Sequence, residues 1–262
     1  MTYEFIKVET TGPVTRLTLN RPQVLNAIHR PMHHELQSAF DAFASAKDQY
    51  VCVITGAGDR AFCAGSDLKA AAAAGAISGG YPSNGYAGLI ERFDLSKPLI
   101  AAVNGIAFGG GFEIALACDL IVASENARFA LPEPLVGAVA LGGGLHRLPR
   151  QVGLKQAMGM ILTGRQVDAN EAAGLGFVNE VVAQPELMNA VDRWCRQIVS
   201  GAPLSVRASK QTVMRGLDEP SLEAAIRNQE DYAAFATWRS ASDTIEGPRA
   251  FAEKRPPVWR GE

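Results

Sequence analysis

The stretch IAAVNGIAFGGGFE, residues 100–113, decides the fold of this chain. The apolar run over 99–103 predicts a short buried strand, and the Asn-Gly pair that follows it predicts a turn. A glycine triplet at 109–111 then precedes an apolar stretch, 112–117, which predicts a helix. A buried strand that is followed closely by a glycine-rich turn and a helix is typical of α/β proteins.

The glycine triplet also has a chemical interpretation. Glycines let the backbone approach a ligand closely, and the unpaired amides at the start of a helix, helped by the helix dipole, can hold a developing oxyanion. A glycine-rich turn that only permits tight packing is the alternative. Glu113 favours the chemical interpretation, because a carboxylate between Phe112 and Ile114 is costly to bury without a partner or a task.

A second carboxylate, Glu133, stands in a similar setting. It follows the apolar residues 129–131 and the chain-stiffening Pro132. Two carboxylates in apolar surroundings can divide the work of a general acid and a general base. A pair of structural, ion-paired groups fits the same pattern, so the residues alone leave both interpretations open.

Strands and helices alternate on both sides of this stretch. Further apolar runs predict strands over 16–19, 51–55 and 120–123. Helical spacing or a suitable first residue predicts helices over 26–47, 154–162, 168–173 and 185–199. No strand is predicted from residue 203 onward, and the Gly- and Ser-rich stretch 75–88 predicts a mobile loop. The pattern indicates an α/β core with a helical C-terminal appendage.

Composition excludes several classes of protein. The 262 residues contain 25 Lys plus Arg and 27 Asp plus Glu, a net charge of −2. This balance argues against a dedicated nucleic-acid binder and against a polybasic membrane-surface protein. Residues 1–13 lack the apolar core of a secretory signal, and the apolar stretch 99–123 is interrupted by polar residues, so neither predicts export or membrane insertion. We expect a cytoplasmic protein.

Cysteines and histidines predict no metal or disulfide chemistry. The cysteines lack the short spacings of a metal site and stand among apolar residues, which predicts buried free thiols in a reduced compartment; they are Cys52, Cys63, Cys118 and Cys195. His29, His33 and His34 lie close together in the sequence, but no third ligand accompanies the spaced pair. We therefore expect histidines that face the solvent. Phosphate-loop, dinucleotide, zinc-protease and serine-hydrolase motifs do not occur.

Three motifs together resemble the enoyl-CoA hydratase/isomerase (crotonase) family. They are AFCAGSDL at 61–68, the stretch 100–113, and FALPE at 129–133. Their order and spacing match that family, and the resemblance extends from about Val14 to the C-terminus. It implies an α/β fold: a crotonase-like spiral of ββα turns over residues 1–200, with a helical C-terminal trimerisation and oligomerisation region over residues 201–262.

The same resemblance implies the residues of a site. A thioester oxyanion hole would use the backbone amides of Ser66 and Gly110, and the two catalytic carboxylates would be Glu113 and Glu133. The residues that would bind the CoA part of the substrate are Ser66, Asp67, Leu68, Lys69, Gly110 and Lys254. Of these, Lys254 would reach the CoA phosphates in its own subunit or in a neighbouring one.

The activity that the resemblance implies is that of an enoyl-CoA hydratase or dehydratase. Such an enzyme adds water reversibly across the 2,3 double bond of an enoyl-CoA thioester. It would need no metal or other cofactor, since coenzyme A is part of the substrate, and it would assemble as a homotrimer or homohexamer without nucleic acid or membrane. Two alternatives remain open: a double-bond isomerase of the same family, and a non-catalytic, RNA-binding homologue.

One segment departs from the family's usual pattern. After Gly137 the family usually has a proline-containing stretch before a Gly-Gly pair, whereas this chain reads AVALGGG over 138–144. By the same resemblance this loop borders the acyl end of the site. We therefore expect it to influence which acyl group is accepted.

Overall fold

Two sheets form the core of the computed structural model, which describes residues 3–73 and 80–262. The larger sheet contains, in spatial order, β1 (Ile6–Thr11), β2 (Val14–Leu19), β3 (Val51–Gly56), β5 (Leu99–Val103), β7 (Leu120–Ser124) and β10 (Glu180–Val182). The smaller sheet contains β4 (Ala61–Cys63), β6 (Ile106–Phe108), β8 (Arg128–Ala130) and β9 (Val167–Asp168). All neighbouring strands are parallel except the pairs β1–β2 and β8–β9.

Helices surround the sheets and make up the C-terminal part of the chain. They are α1 (Arg30–Ser45), α2 (Leu68–Ala73), α3 (Gly110–Ala117), α4 (Gly144–Gln151), α5 (Leu154–Thr163), α6 (Ala169–Leu175), α7 (Leu187–Val199), α8 (Pro203–Gly216), α9 (Leu222–Asn228), α10 (Ala233–Arg239) and α11 (Asp243–Ala252). No helix within 3–73 or 80–262 is long and apolar enough to cross a membrane.

Successive strands pass from the larger sheet to the smaller one before a helix returns the chain. This order appears as β3–β4–α2 and again as β5–β6–α3. Strands that are covered on both faces are apolar throughout, and all five residues of β5 are buried. The spiral of ββα turns that the family resemblance implies is confirmed.

The core has one large apolar cluster and a smaller one across the main sheet. In α1, the predicted helical spacing of Leu36, Phe40 and Phe43 is confirmed, because all three side chains are buried in the large cluster. On the opposite face of the sheet, α7 contributes Leu187 and Val191 to the smaller cluster. The larger sheet is therefore covered by helices on both faces.

Buried asparagines form hydrogen bonds to the turns that link the two sheets. Asn104 donates from Nδ2 to the carbonyl oxygens of Gly56 at 2.9 Å and Gly58 at 2.7 Å, and its Oδ1 accepts from the amide of Gly56 at 3.1 Å. Asn26 donates to the carbonyl oxygen of Ala61 at 2.8 Å. These side chains pair backbone groups that would otherwise be buried without partners, and they fix the position at which β4 begins.

Most predicted elements are confirmed, with ends shifted by a few residues. The strand over 99–103 has the predicted bounds, and no strand occurs after residue 182. The prediction missed β1, β10 and all four strands of the smaller sheet. β10 and the strands of the smaller sheet have only two or three residues, too few for any periodicity to reveal them. β1 has six residues, but only Ile6 is buried, so it carries no apolar pattern.

The outcomes for the cysteines, the 75–88 loop and the division at residue 200 differ. All four cysteines are buried free thiols, as predicted. The predicted mobile loop at 75–88 lies partly outside the described residues. The predicted division at residue 200 stays a prediction, although every element from α8 onward is helical.

Candidate active site

Three of the predicted site residues lie beyond the carboxyl ends of three neighbouring strands. Ser66 follows β4, Gly110 follows β6 and Glu133 follows β8, and these three strands are adjacent and parallel in the smaller sheet. In α/β proteins, the carboxyl ends of parallel strands are where ligands usually bind. The three motifs that are far apart in the sequence therefore meet at one edge of the sheet.

Glycines allow the first two of these turns to touch. Gly65 has a φ of +92°, and a Cβ at this position would lie 2.9 Å from the carbonyl oxygen of Phe108 and 3.2 Å from the amide nitrogen of Gly110. A Cβ on Gly111 would overlap the carbonyl oxygen of Cys63. Since backbone packs directly against backbone here, only glycine fits at these two positions.

The two predicted oxyanion donors are free within the described chain. The backbone on both sides of Ser66 is fixed, because Ile28 donates to the carbonyl of Gly65 at 2.8 Å and accepts from the amide of Asp67 at 2.9 Å. The amides of Ser66 and Gly110 themselves donate to no acceptor within residues 3–73 and 80–262. Gly110 is also the first residue of α3, where helix amides lack an internal partner.

Glu113 lies in the first turn of α3 and is almost completely buried, with 3% of its surface exposed. Its Oε1 accepts from the amide of Gly144 at 2.9 Å, and the amide of Gly142 lies close enough to the carboxylate to favour its charged form. Burial raises the pKa of Glu113 to about 7, the charge of Glu133 adds to that rise, and the two amides oppose it. The group therefore exchanges its proton near neutral pH.

Glu133 lies beside the glycine turn that precedes α3. Its Oε1 lies 2.8 Å from the position that a Cβ on Gly109 would occupy. Its Oε2 is buried and has no hydrogen-bond partner within the described chain. Burial raises the pKa of Glu133 as well. A buried carboxylate oxygen without a partner is costly, and a polar group of a bound substrate or water would satisfy it.

Tyr86, which none of the three motifs contains, lies against both predicted oxyanion donors. Its ring occupies the space that a side chain on Gly110 would need. Its phenolic oxygen accepts a hydrogen bond from Oγ of Ser66 at 3.3 Å. Tyr86 is 4% exposed, and burial raises its pKa well above the ordinary value. A glycine- and asparagine-rich neighbourhood gave no signal that a side chain here would be buried.

The expectation that the histidines face the solvent is wrong for His33. This residue is on the inner face of α1 and is 5% exposed. Its Nδ1 accepts from the amide of Ala87 at 2.9 Å, and its ring meets that of Tyr86 edge-on with 4.6 Å between centroids. Burial lowers the pKa of His33 to about 4. A neutral imidazole of His33 therefore packs against Tyr86. The neighbouring His34 is exposed, as expected.

The other residues predicted to bind CoA are either ion-paired or exposed on the surface. Asp67 forms an ion pair with Arg21 at 3.1 Å and accepts from the amide of Ala70 at the start of α2. Leu68 is 51% exposed, and Lys69 is also exposed. Lys254 is an exposed residue after α11, and no hydrogen bond within the described chain joins it to Ser66 or Gly110. The CoA-binding role of these residues stays a prediction.

Comparison with known proteins identifies the class to which this fold and site belong. The profile of the family described as enoyl-CoA hydratase/isomerase matches residues 9–262. The chain belongs to this family. The crotonase-like fold that its three motifs imply is thereby confirmed.

Individual relatives cover nearly the whole chain. Carnitinyl-CoA dehydratase of Salmonella enteritidis is 44% identical over 260 residues, which is 98% of this chain and 99% of that protein. The protein of the same name from Proteus mirabilis is 43% identical over 258 residues, 98% of each chain. The crystal structure of enoyl-CoA hydratase from Mycobacterium tuberculosis has a TM-score of 0.90 and 35% identity, and the match covers 98% of this chain and 99% of the other.

The contact between Gly142 and Glu113 yields a stability prediction. In Gly142→Ala, the new Cβ would overlap Oε2 of Glu113, so the buried carboxylate or the loop must move. We expect the free energy of unfolding to fall by about 1–3 kcal/mol, the usual cost of overpacking, in urea denaturation followed by circular dichroism.

Gly159→Ala is the matched control. Gly159 is inside α5 and has no atom within 4 Å of the added Cβ. We expect this variant to gain about 0.5–1 kcal/mol, because alanine favours the helix. A Gly142→Ala protein as stable as Gly159→Ala would contradict the close packing of the loop on Glu113.

Proposed function

We propose that this protein is an enoyl-CoA hydratase or dehydratase, which adds water reversibly across the 2,3 double bond of an enoyl-CoA thioester. The observation that carries the proposal is a pair of carboxyl groups close to the unpaired amide of Gly110: the buried Glu113 in the first turn of α3, and the half-buried Glu133 beside Gly109. Membership of the enoyl-CoA hydratase/isomerase family and the names of its relatives support the same activity.

The backbone amides would activate the thioester. Its carbonyl oxygen accepts hydrogen bonds from the amides of Ser66 and Gly110, which are held in place before substrate arrives. As water attacks the β-carbon, negative charge moves onto this oxygen and an enolate-like transition state forms. Each donor of this kind contributes about 10²–10³-fold to the rate. The N-terminus of α3 adds a favourable dipole.

The two glutamates would move the protons. A water molecule between them loses a proton to one carboxylate as its oxygen bonds to the β-carbon, and the other carboxyl delivers a proton to the α-carbon. Burial raises both pKa values, which brings both groups closer to exchange at neutral pH. Such general acid–base catalysis contributes about 10²–10⁴-fold. The reverse sequence eliminates water.

This chemistry determines which additional groups the reaction requires. Addition of water changes no net oxidation state, so no redox cofactor is needed. The amides polarise the carbonyl and the glutamates transfer the protons, so we propose that coenzyme A enters only as part of the substrate and that no metal participates.

A panel of CoA thioesters tests the proposed function. It contains short, long and aromatic enoyl-CoA esters together with carnitinyl-CoA, since relatives of this chain are named carnitinyl-CoA dehydratase. For the enoyl-CoA esters we expect loss of the enoyl absorbance and a hydroxyacyl product. For carnitinyl-CoA we expect loss of water and a gain of the enoyl absorbance. A shifted double bond without added oxygen would instead show an isomerase. No turnover combined with tight, salt-sensitive RNA binding would show a non-catalytic homologue.

Replacing either glutamate tests the assignment of the two carboxyl groups. In Glu113→Gln and Glu133→Gln the amide preserves the side-chain shape but cannot exchange a proton. We expect kcat to fall by about 10²–10⁴-fold in each variant, while binding of a saturated acyl-CoA stays near native. Native hydration by either variant would show that the replaced carboxyl has no role in proton transfer.

We further propose that the chain assembles into a homotrimer or homohexamer through its C-terminal helices. Large apolar side chains are exposed along α8 and α9: Val213 is 61% exposed, Leu217 68%, Leu222 78% and Ile226 57%. Large apolar side chains that are exposed on two packed helices favour an interface. Aromatic side chains of the same region are only partly buried in the single chain, with Phe235 and Trp238 in edge-on contact at 5.0 Å.

Sedimentation equilibrium tests this assembly. We expect three or six chains per particle at micromolar concentration, and we expect Leu222→Glu to shift the protein towards the monomer because a charge would then be buried in the interface. Val8→Glu, on the edge strand β1, serves as the control and should retain the native assembly. A native protein that sediments as a monomer would contradict the proposal.

A further inference from the structure

The hydroxyl of Tyr86 lies between the two residues whose amides face the proposed thioester oxygen. On one side it accepts the hydrogen bond from Ser66 Oγ at 3.3 Å. On the other side, the hydroxyl and the adjacent ring carbon lie where a Cβ on Gly110 would be. A side chain at position 110 would therefore displace the phenol, so the glycine and the tyrosine together form one wall of the oxyanion site.

The proton of this hydroxyl has no acceptor in the described chain. Ser66 supplies the proton in its bond to Tyr86, and residues 3–73 and 80–262 contain no second hydrogen-bond partner for the phenol. Buried tyrosine hydroxyls usually find an acceptor, because an unused donor away from water is costly. A substrate oxygen beside Ser66 and Gly110 would accept this proton.

The surroundings of Tyr86 keep it in place as a neutral donor. His33 packs edge-on against its ring and holds the following amide, that of Ala87, by a 2.9 Å hydrogen bond. Ala87 itself has a φ of +57°, so the turn that presents Tyr86 has a well-defined and unusual backbone conformation. The nearby Glu113 adds to the effect of burial in keeping the phenol protonated.

We infer that Tyr86 is a third oxyanion donor, whose hydroxyl binds the thioester carbonyl oxygen together with the amides of Ser66 and Gly110. This inference rests on the proposed function, because it assumes that an acyl-CoA carbonyl occupies the site. As charge develops on the oxygen in the transition state, the phenolic hydrogen bond strengthens. Tyr86 is then a catalytic residue that the family motifs do not contain.

Tyr86→Phe tests the inference, because it removes the hydroxyl and keeps the ring against Gly110. We expect kcat for hydration to fall by about 10- to 100-fold, as for a lost hydrogen bond to a charged group, with little change in KM. Tyr232→Phe is the matched control: it removes another phenolic hydroxyl, one that bonds to Glu219 in the C-terminal region, and should retain native kcat.

Ser66→Ala tests whether Tyr86 donates to the substrate or only positions Ser66. This variant keeps the Ser66 amide and the Tyr86 hydroxyl and removes only the bond between the two side chains. We expect it to lose less than 10-fold in kcat. If Ser66→Ala lost as much as Tyr86→Phe, and the double variant lost no more than either, the phenol would act through Ser66 and the inference would be wrong.

A spectroscopic measurement tests the inference independently of turnover. The infrared carbonyl band of a bound saturated acyl-CoA, labelled with ¹³C at the thioester carbon, reports how strongly the oxygen is hydrogen-bonded. We expect this band to move to higher frequency in Tyr86→Phe than in the native protein, and to stay unchanged in Tyr232→Phe. An identical frequency in Tyr86→Phe and the native protein would overturn the inference.

The two measurements distinguish failure of this inference from failure of the proposed function. If the native protein hydrates enoyl-CoA but Tyr86→Phe keeps native kcat and carbonyl frequency, only the third donor is wrong. If the native protein hydrates no enoyl-CoA yet its acyl-CoA carbonyl band depends on Tyr86, the donor is supported and the hydratase proposal fails.

Discussion

Burial of the Glu113 carboxyl group is the constraint on which the rest of the site depends. A carboxylate that is removed from water loses its hydration, and the two backbone amides from the 142–144 loop replace it only in part. The remaining cost raises the pKa of Glu113 to about 7. The same contacts hold the loop against the start of α3. One interaction therefore influences the pKa of Glu113 and positions the loop.

Short parallel strands bring the remaining groups to this carboxyl. β4, β6 and β8 end side by side, and each leads directly into one part of the site: Ser66, the Gly109–Gly111 turn, or Glu133. Contact between these turns requires backbone to lie against backbone, which explains the glycines at positions 65 and 111. At Gly110 the missing side chain is replaced by the ring of Tyr86. The geometry of the proposed oxyanion site therefore depends on glycines, which have no side chain, as well as on the ring of Tyr86.

The sequence was most informative where burial imposes a pattern over several residues. The apolar run of β5 and the helical spacing of Leu36, Phe40 and Phe43 predicted their elements correctly. The carboxylates Glu113 and Glu133 stood out because apolar neighbours surround them. The strands of the smaller sheet could not be predicted, since two or three residues carry no periodicity.

Contacts between distant segments could not be predicted either. His33 has the same helical spacing as Leu36 and Phe40, which places it on the inner face of α1, but no pattern in the sequence indicates that it meets Tyr86 there. The role of Gly142 and Gly144 as partners of Glu113 depends on a loop conformation that brings together residues some thirty positions apart. The departure of this loop from the family's usual sequence marked the segment as unusual without indicating that it supplies these amides.

The titration of Glu113 tests the central claim most directly. In protein with ¹³C-labelled glutamate carboxyl groups, the Glu113 signal is identified by its absence from the spectrum of Glu113→Gln. We predict a midpoint near pH 7 in the native protein and a lower midpoint in Glu133→Gln, because the charge of Glu133 contributes to the rise. A native midpoint close to the ordinary value of 4.5, unchanged in Glu133→Gln, would contradict a buried Glu113 that is coupled to Glu133.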